Sequence, residues 1–398
     1  MKVSKVKKLR LILAGTNLFY VENIRMTTLP LAGVRILSLA EQYPGPYAGM
    51  LLADMGADVV LVERPGGGDP SRRFPGLFAS FNRNKRSVVL DLKSTEGHAS
   101  FLQLVDTADV VMEGFRPGVM ARLKLSAEDL RLRKPDLVFV SISAFGQNGP
   151  LAGLAGHDLS IQAAAGLLQV PIGQEAQAPL PMLPLGDIAS AMFAALGVVT
   201  ALFARKSSGQ GASIDVSMLD SLVSWMTPFL MPPMNNLAIR ELPPLDPGYG
   251  IFLTADARQI TLSIAGEDTM WAALCDILTL PQLADLNEQQ RSLRNKEITP
   301  LLRDAIAKHP FDSFYQQLDS RSIACGPVLG LEAVLNDPQM VVRGMSQTFV
   351  TADGVQKYVR QPILMNGQGG LIHCLPPTLG QHNEELLGGA KKPVVKAS

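Results

Sequence analysis

"GVRILSLAEQYPGPYAGMLLADMGADVVLVER" runs from Gly33 to Arg64. Two β-rich apolar runs, Gly33–Glu41 and Ala57–Arg64, flank a stretch of helical character. Pro44 and Pro46 predict a helix that begins only near Tyr47, and Gly56 ends it. The strand–helix–strand order then recurs. "RSVVLDL", "STEGHASFLQLVDTA" and "DVVMEGF" repeat it, and "DLVFVSISAFG" follows another helical stretch. "GDIASAMFAALGVVTALFARKSSGQG" and "ASIDVSMLDSLVSWM" continue with helix, turn, strand and helix. Short apolar strands alternating with helices predict an α/β chain, a parallel sheet with helices on its faces, resembling a doubly wound nucleotide-type fold.

Beyond this half the pattern changes. "MPPMNNLAIRELPPLDPGYG" is proline-rich and reads as a linker. From about Gly248 a smaller unit starts with a hairpin, "IFLTADARQITLSI", and helices follow to about Leu335. The tail from Gly344 returns to strand and loop. No repeat or low-complexity tract interrupts the chain.

Bulk properties exclude several classes. A length of 398 residues suits two domains, and 47 % hydrophobic residues suffice for a sizeable core. Net charge is zero, which argues against a general nucleic-acid binder with its basic stripes. Cys275, Cys325 and Cys374 show no CxxC spacing, so a reducing cytoplasm is expected, with no disulfide frame and no metal site. No uninterrupted apolar run reaches ~18 residues, so no spanning helix is expected. Residues 1–25 have a basic start and a short apolar stretch, like a weak signal peptide. Asn17 and Glu22 interrupt it, and Met26 is expected to be the working initiator.

Three basic sites stand out. "ERPGGGDP" (Glu63–Pro70) follows a strand, but it is neither GxGxxG nor a P-loop, and no helix is expected to open after it. Arg64 at the strand's end is more suggestive, because ligands in open α/β sheets sit beyond those ends. "NRNKRS" (Asn82–Ser87) groups Arg83, Lys85 and Arg86, and "GFRPGVMARL" adds Arg116 and Arg122. Placed at one sheet edge, they imply a polyanionic ligand: ATP, a dinucleotide or coenzyme A. GxSxG, HExxH and the P-loop are all absent from the sequence.

A charge-poor segment contrasts with these clusters. No lysine or arginine lies between Lys134 and Arg205, yet His157, Asp158 and Asp187 fall within it. Asp187, in "PLGDIASAM", fits a helix N-cap as well as an unneutralised reactive carboxylate. His157 by itself fits a structural histidine.

Seven segments carry a resemblance. They are "PLAGVRILSLAEQYPGPYAGMLLADMGADVVLVERPGGGD", "FNRNKRSVVLDLKSTEG", "ADVVMEGFRPGVMARL", "SISAFGQNGP", "GHDLSIQAAAGLL", "LGDIASAMFAALGVVTALFARKSSGQG" and "LPPTLGQHNEELLG". In order and spacing the chain resembles the family III CoA-transferases and their relatives, the α-methylacyl-CoA racemases, over nearly all of Leu29–Gly389. The resemblance implies an interlocked homodimer. Each chain would have a Rossmann-like large domain built from both chain ends and an inserted small α+β domain. The corresponding boundaries are 1–25 (extension), 26–225 (large domain), 226–247 (linker), 248–335 (small domain) and 336–398 (return).

It also implies roles. Arg64 and Arg122 match arginines near CoA phosphates and pantetheine, and Gly114 and Phe115 match backbone contacts to the nucleotide. Phe145 matches an aromatic lining the pocket. Asn84, Lys85 and Arg86 join the candidate CoA contacts, and Asp187 falls on the transferase nucleophile. No cofactor would be permanently bound: a CoA thioester is substrate, a carboxylic acid is acceptor, and neither nucleic acid nor membrane is a partner.

In the racemases the GHD motif and an acid–base residue thirty positions on do the chemistry, and His157 with Asp187 has that spacing. Glu267 matches their additional glutamate. Ser160 and Ile161 depart from the racemase Asn-Tyr, and Tyr43 stands where formyl-CoA transferases carry glutamine. The expectation is therefore a transferase, with a racemase as the alternative and a CoA-binding protein without chemistry as the third reading.

Overall fold

The computed structural model describes residues 29–169, 183–237, 246–351, 354–370 and 372–388. The N-terminal extension and linker residues 238–245 lie outside the described residues. Six parallel strands form the main sheet: β1 (Arg35–Ser38), β2 (Asp58–Glu63), β3 (Lys85–Val89), β4 (Val110–Glu113), β5 (Val138–Ser143) and β6 (Ser213–Ser217). Their order is β3-β2-β1-β4-β5-β6. Neighbouring side chains of one strand point to opposite faces and both faces are covered. Ile36, Val59 and Val110 enter one core, and Leu37, Val60 and Val111 the other. Burial on both sides is why these strands read as continuous apolar runs.

Helices α1 (Pro44–Asp54), α2 (Pro75–Asn82), α3 (Thr95–Asp106), α4 (Val119–Arg122), α5 (Ala127–Arg133), α6 (Asp158–Ala164) and α7 (Leu185–Ser208) surround the sheet, followed by α8 (Met218–Trp225) and α9 (Thr227–Met234). Three expectations need correction. Helix α1 starts at Pro44, not near Tyr47, because proline in a first turn gives up only an amide that has no intrahelical partner. The glycine loop is followed by a short 3-10 turn, Pro70–Arg73, and then by α2. The proline-rich linker begins with the two-turn α9, whose Pro228 sits in its first turn.

Helix α7 has 24 residues and is apolar enough, by length and composition, to cross a membrane. The sequence hid this by interrupting its apolar runs. One face of α7 is core: Ala191, Ala194, Ala195, Val198 and Leu202 pack on the sheet with α1. Its small side chains permit that close approach.

The second unit has its own core. Strands β7 (Tyr249–Leu253), β8 (Gln259–Ser263) and β9 (Cys325–Pro327) form an antiparallel sheet. Helices α10 (Asp268–Ile277), α11 (Glu288–Leu293), α12 (Asn295–Ile306) and α13 (Phe311–Ser320) pack on it around Trp271, Leu274, Ile298 and Phe314. A hairpin, β10 (Ser346–Thr351) and β11 (Gly354–Val359), comes next. The chain then returns to the edge of the main sheet. The His382 N–H donates to the Ser87 carbonyl at 2.9 Å, and the Val89 N–H donates to Asn383 at 2.9 Å.

Candidate active site

The strand order reverses between β1 and β4, so the loops that leave these strands diverge and open a crevice. A cavity of about 320 Å³ occupies it. Glu41, Gln42 and Tyr43 from the β1 loop and Gly114–Pro117 from the β4 loop line it, opposite His157, Asp158 and Asp187. Close backbone approach shapes the mouth. A Cβ on Gly45 would lie 2.0 Å from the Ala40 Cβ, so only glycine lets α1 begin there.

Buried carboxylates hold these loops. Glu63 at the end of β2 is ion-paired with Arg72 at 2.6 Å and accepts from the Asp69 N–H at 3.0 Å. Asp69 in turn accepts the Gln42 N–H at 3.1 Å, pinning a residue whose φ of 68° is left-handed. Glu113 at the end of β4 accepts the Phe115 N–H at 2.7 Å and so fixes the Gly114–Phe115 turn. Burial pushes Glu113 up to about 7, its hydrogen bonds to Ser141 and Phe115 oppose this, and Asp215 adds to it.

Asp187 is the third residue of α7, not its N-cap. Among the described residues its carboxylate accepts no hydrogen bond and pairs with no cation. The helix N-terminus is already taken: the Asp158 carboxylate accepts from the Gly186 N–H at 2.7 Å and the Asp187 N–H at 3.2 Å. An anion at that positive helix end is favourable. Burial, and then the Asp158 charge, push Asp187 up to about 7. The phenol of Tyr43 is raised as well, chiefly by burial and next by Asp187.

His157 is exposed and opens α6, its N–H donating to the Ser160 hydroxyl at 3.1 Å. It shares the cavity with Asp187. Arg64 is exposed beside it, donating to the Gly68 carbonyl at 3.1 Å and lying 3.8 Å from Glu41. Arg122 is exposed in the last turn of α4.

Other expected site residues fall elsewhere. Asn84, Lys85 and Arg86 sit at the start of β3, the amino end of the parallel sheet, so they do not share the edge of Arg64. Their side chains are engaged internally. Lys85 is buried and donates to the Pro46 carbonyl and to Asn82 at 2.7 and 2.9 Å. Arg86 pairs with Asp58 and Glu385, and Asn84 donates to Asp54 at 2.8 Å. Phe145 backs the cavity and does not line it, packing against the small cluster of Ile161 and Met218. Glu267 precedes α10 in the second unit, exposed, and accepts the Ala265 N–H at 2.7 Å rather than a helix amide. It lines no part of the crevice within this chain.

Sequence reasoning alone does not assign these parts to Asp158, Tyr43 and Glu113. The pairing of Asp158 with the α7 terminus joins residues 28 and 29 positions apart. Its one sequence signal is a carboxylate standing in a segment without cations.

Fold and site together define a doubly wound α/β protein with an unneutralised carboxylate at its switch point. CoA-transferase family III matches residues 31–383, and the chain belongs to this family. It is 33 % identical over 386 residues to the succinate–glutarate CoA-transferase of Agrobacterium fabrum, covering 90 % of this chain and 95 % of that one. It is 32 % identical to the succinyl-CoA–D-citramalate CoA-transferase of Chloroflexus aurantiacus, covering 90 % and 93 %. Among solved structures, Rv3272 of Mycobacterium tuberculosis superposes with a TM-score of 0.81 at 31 % identity, covering 90 % and 99 %.

Proposed function

We propose that the protein transfers CoA from an acyl-CoA to a free carboxylic acid, with Asp187 as nucleophile. The observation that carries this is a half-buried carboxylate with no partner among the described residues, at the mouth of a crevice. A carboxylate oxygen of Asp187 attacks the thioester carbonyl, and CoA leaves as thiolate, giving a mixed anhydride. The thiolate attacks the aspartyl carbonyl and releases the donor acid, leaving an aspartyl-CoA thioester. The acceptor carboxylate attacks that carbonyl and expels the thiolate, which then takes the acceptor's acyl group and frees Asp187. Each step exchanges one acyl bond for another, so no cofactor beyond the CoA ester is required. The anhydride must be shielded from water while it turns over, which the filled crevice would provide.

In this reading Arg64 and Arg122 receive CoA phosphates, and Gly114 and Phe115 offer backbone contacts. The proposed assembly is an interlocked homodimer. Met192, Leu196, Val199 and Phe203, spaced four, three and four along α7, leave an apolar stripe uncovered in the single chain. The dispersed free cysteines suit the cytoplasm.

The test is incubation with 2-methylacyl-CoA esters in D₂O, with and without free acids. CoA appearing on the acid without deuterium at Cα is the expected result. Deuterium entering at Cα without any acid overturns it and makes His157 and Asp187 a racemase acid–base pair.

A further inference from the structure

Gln162 lies one turn beyond Asp158 on α6, on the same face of the helix, and is wholly buried. Its amide nitrogen donates to Asp158 Oδ2 at 2.5 Å and to the Leu183 carbonyl at 3.2 Å. Both partners are acceptors, so the nitrogen must face them and the amide has one orientation. Its oxygen is left buried, with no partner among the described residues. An apolar side chain of similar length would fill the space without stranding a polar atom, so packing alone does not account for a glutamine here.

Its two acceptors do account for it. The second Asp158 oxygen, Oδ1, is the one that receives the Gly186 and Asp187 N–H groups. A Cβ on Gly186 would crowd that oxygen at 3.0 Å, so glycine admits the carboxylate. Leu183 stands where the chain turns into α7, and its carbonyl also accepts the Leu185 N–H at 2.9 Å. One amide therefore grips both the carboxylate that ties down the first turn of α7 and the residue leading into it. Helix α6 packs against α7 and α8, whose first turns bring only further carboxylates, Asp187 and Asp220. Glu41, Tyr43, Arg116 and His157 are the other titratable groups lining the crevice.

We propose that Gln162 is a positioning residue for CoA transfer: by orienting the Asp158 carboxylate it sets where α7 begins, and so where Asp187 stands in the crevice. The proposal rests on the transferase reading for what Asp187 does, not for the geometry that holds it.

Gln162→Met keeps the apolar stem and removes both donated hydrogen bonds. Two measurements on the full-length protein test it, with circular dichroism confirming an equal folded fraction. The first is hydrogen–deuterium exchange of the peptide carrying Gly186 and Asp187, without substrate. The second is CoA exchange between an acyl-CoA and a free acid. The two amides should exchange several times faster. The kcat should fall at least about tenfold while KM for the acyl-CoA stays within about twofold, because the loops proposed to hold CoA are untouched. Gln162→Glu is the second variant. Protonated, its O–H donates to Asp158; ionised, it repels it. Its kcat should be partly restored near neutral pH and lost on the alkaline side, a falling limb that the unaltered protein lacks. Unchanged protection of the two amides in Gln162→Met overturns the proposal, and so does a Gln162→Glu profile without that limb. Faster amides with an unchanged kcat overturn it as well, while leaving the transferase reading in place. Faster amides in Gln162→Met, with no CoA exchange by the unaltered protein, would keep the brace and remove the transferase reading.

Discussion

At Asp187 two influences act in the same direction: burial disfavours its charge, and Asp158 beneath it adds a second negative charge. The carboxyl is therefore protonated below about 7, and in the proposed mechanism it attacks only as the carboxylate present above it. The kcat/KM profile should rise through about pH 7, since it reports groups of the free enzyme. Asp158→Asn keeps an oxygen to accept the N–H groups of Gly186 and Asp187 but removes the charge. The rise should move to lower pH by roughly half a unit or more. An unmoved profile would remove Asp158 from the tuning of the nucleophile.

His157 lends itself to a different measurement. If it only lines the crevice, His157→Phe should keep CoA exchange within about tenfold, or ~1.4 kcal/mol of barrier. A loss of ~10²–10⁴, together with failed α-deuteration of one enantiomer, would make it an acid–base group. Asp187 and His157 were legible in the sequence because a charge-poor segment isolates them. Asp158 was visible but silent about its role, because a hydrogen bond across 28 residues has no local signature.

Among the elements, β3 shows how a charged cluster can mislead. "NRNKRS" reads as a phosphate grip, yet its side chains brace the framework where β3 begins. Lys85 is wholly buried, and burial lowers it to about 7, with Asp69 and Asp54 opposing and Arg83 reinforcing the shift. Between about 7 and its ordinary value of 10.5 the folded chain holds fewer protons than the unfolded one. Stability from this group therefore rises as pH climbs through that window, by at most about 1.4 kcal/mol per pH unit. Lys85→Met keeps the stem and removes the titration. Denaturation midpoints at pH 7 and pH 9 should then draw together, and an unchanged gap would place the pH dependence elsewhere. Strand identities were legible, since burial on both faces produces unbroken apolar runs such as Val59–Val62. The start of α1 was not, because prolines that forbid a helix interior are welcome in its first turn.

Across the whole molecule, the order of the elements followed from the alternation of strand and helix, and the antiparallel unit from its hairpin. The geometry of the crevice did not, because the switch point depends on strand order in space. The apolar stripe on α7 also belongs to this scale. A single chain leaves Phe203 75 % and Leu196 60 % exposed. Uncovered contiguous apolar surface on this pattern suits the interface of the proposed homodimer. If the proposed homodimer uses this stripe, Leu196→Glu combined with Phe203→Glu should give monomer or aggregate in light scattering. A soluble, active dimer of that variant would place the interface elsewhere.

The seam between β3 and the last part of the chain has a consequence for biosynthesis. Strand β3 is the outer strand of the sheet, and its free edge is closed by Cys374, Gly380, His382 and Asn383. The Asn84 N–H donates to the Cys374 carbonyl at 3.0 Å, across a gap of 290 residues in sequence. At translation rates of roughly 5–20 residues per second, that edge waits on the order of 15–60 s for its cover. Throughout that time it is an open template for pairing with a neighbouring nascent chain on the same polysome. The ribosome therefore delivers the protective strip long after the edge it covers, and a message cut short before Cys374 would release chains whose sheet can polymerise.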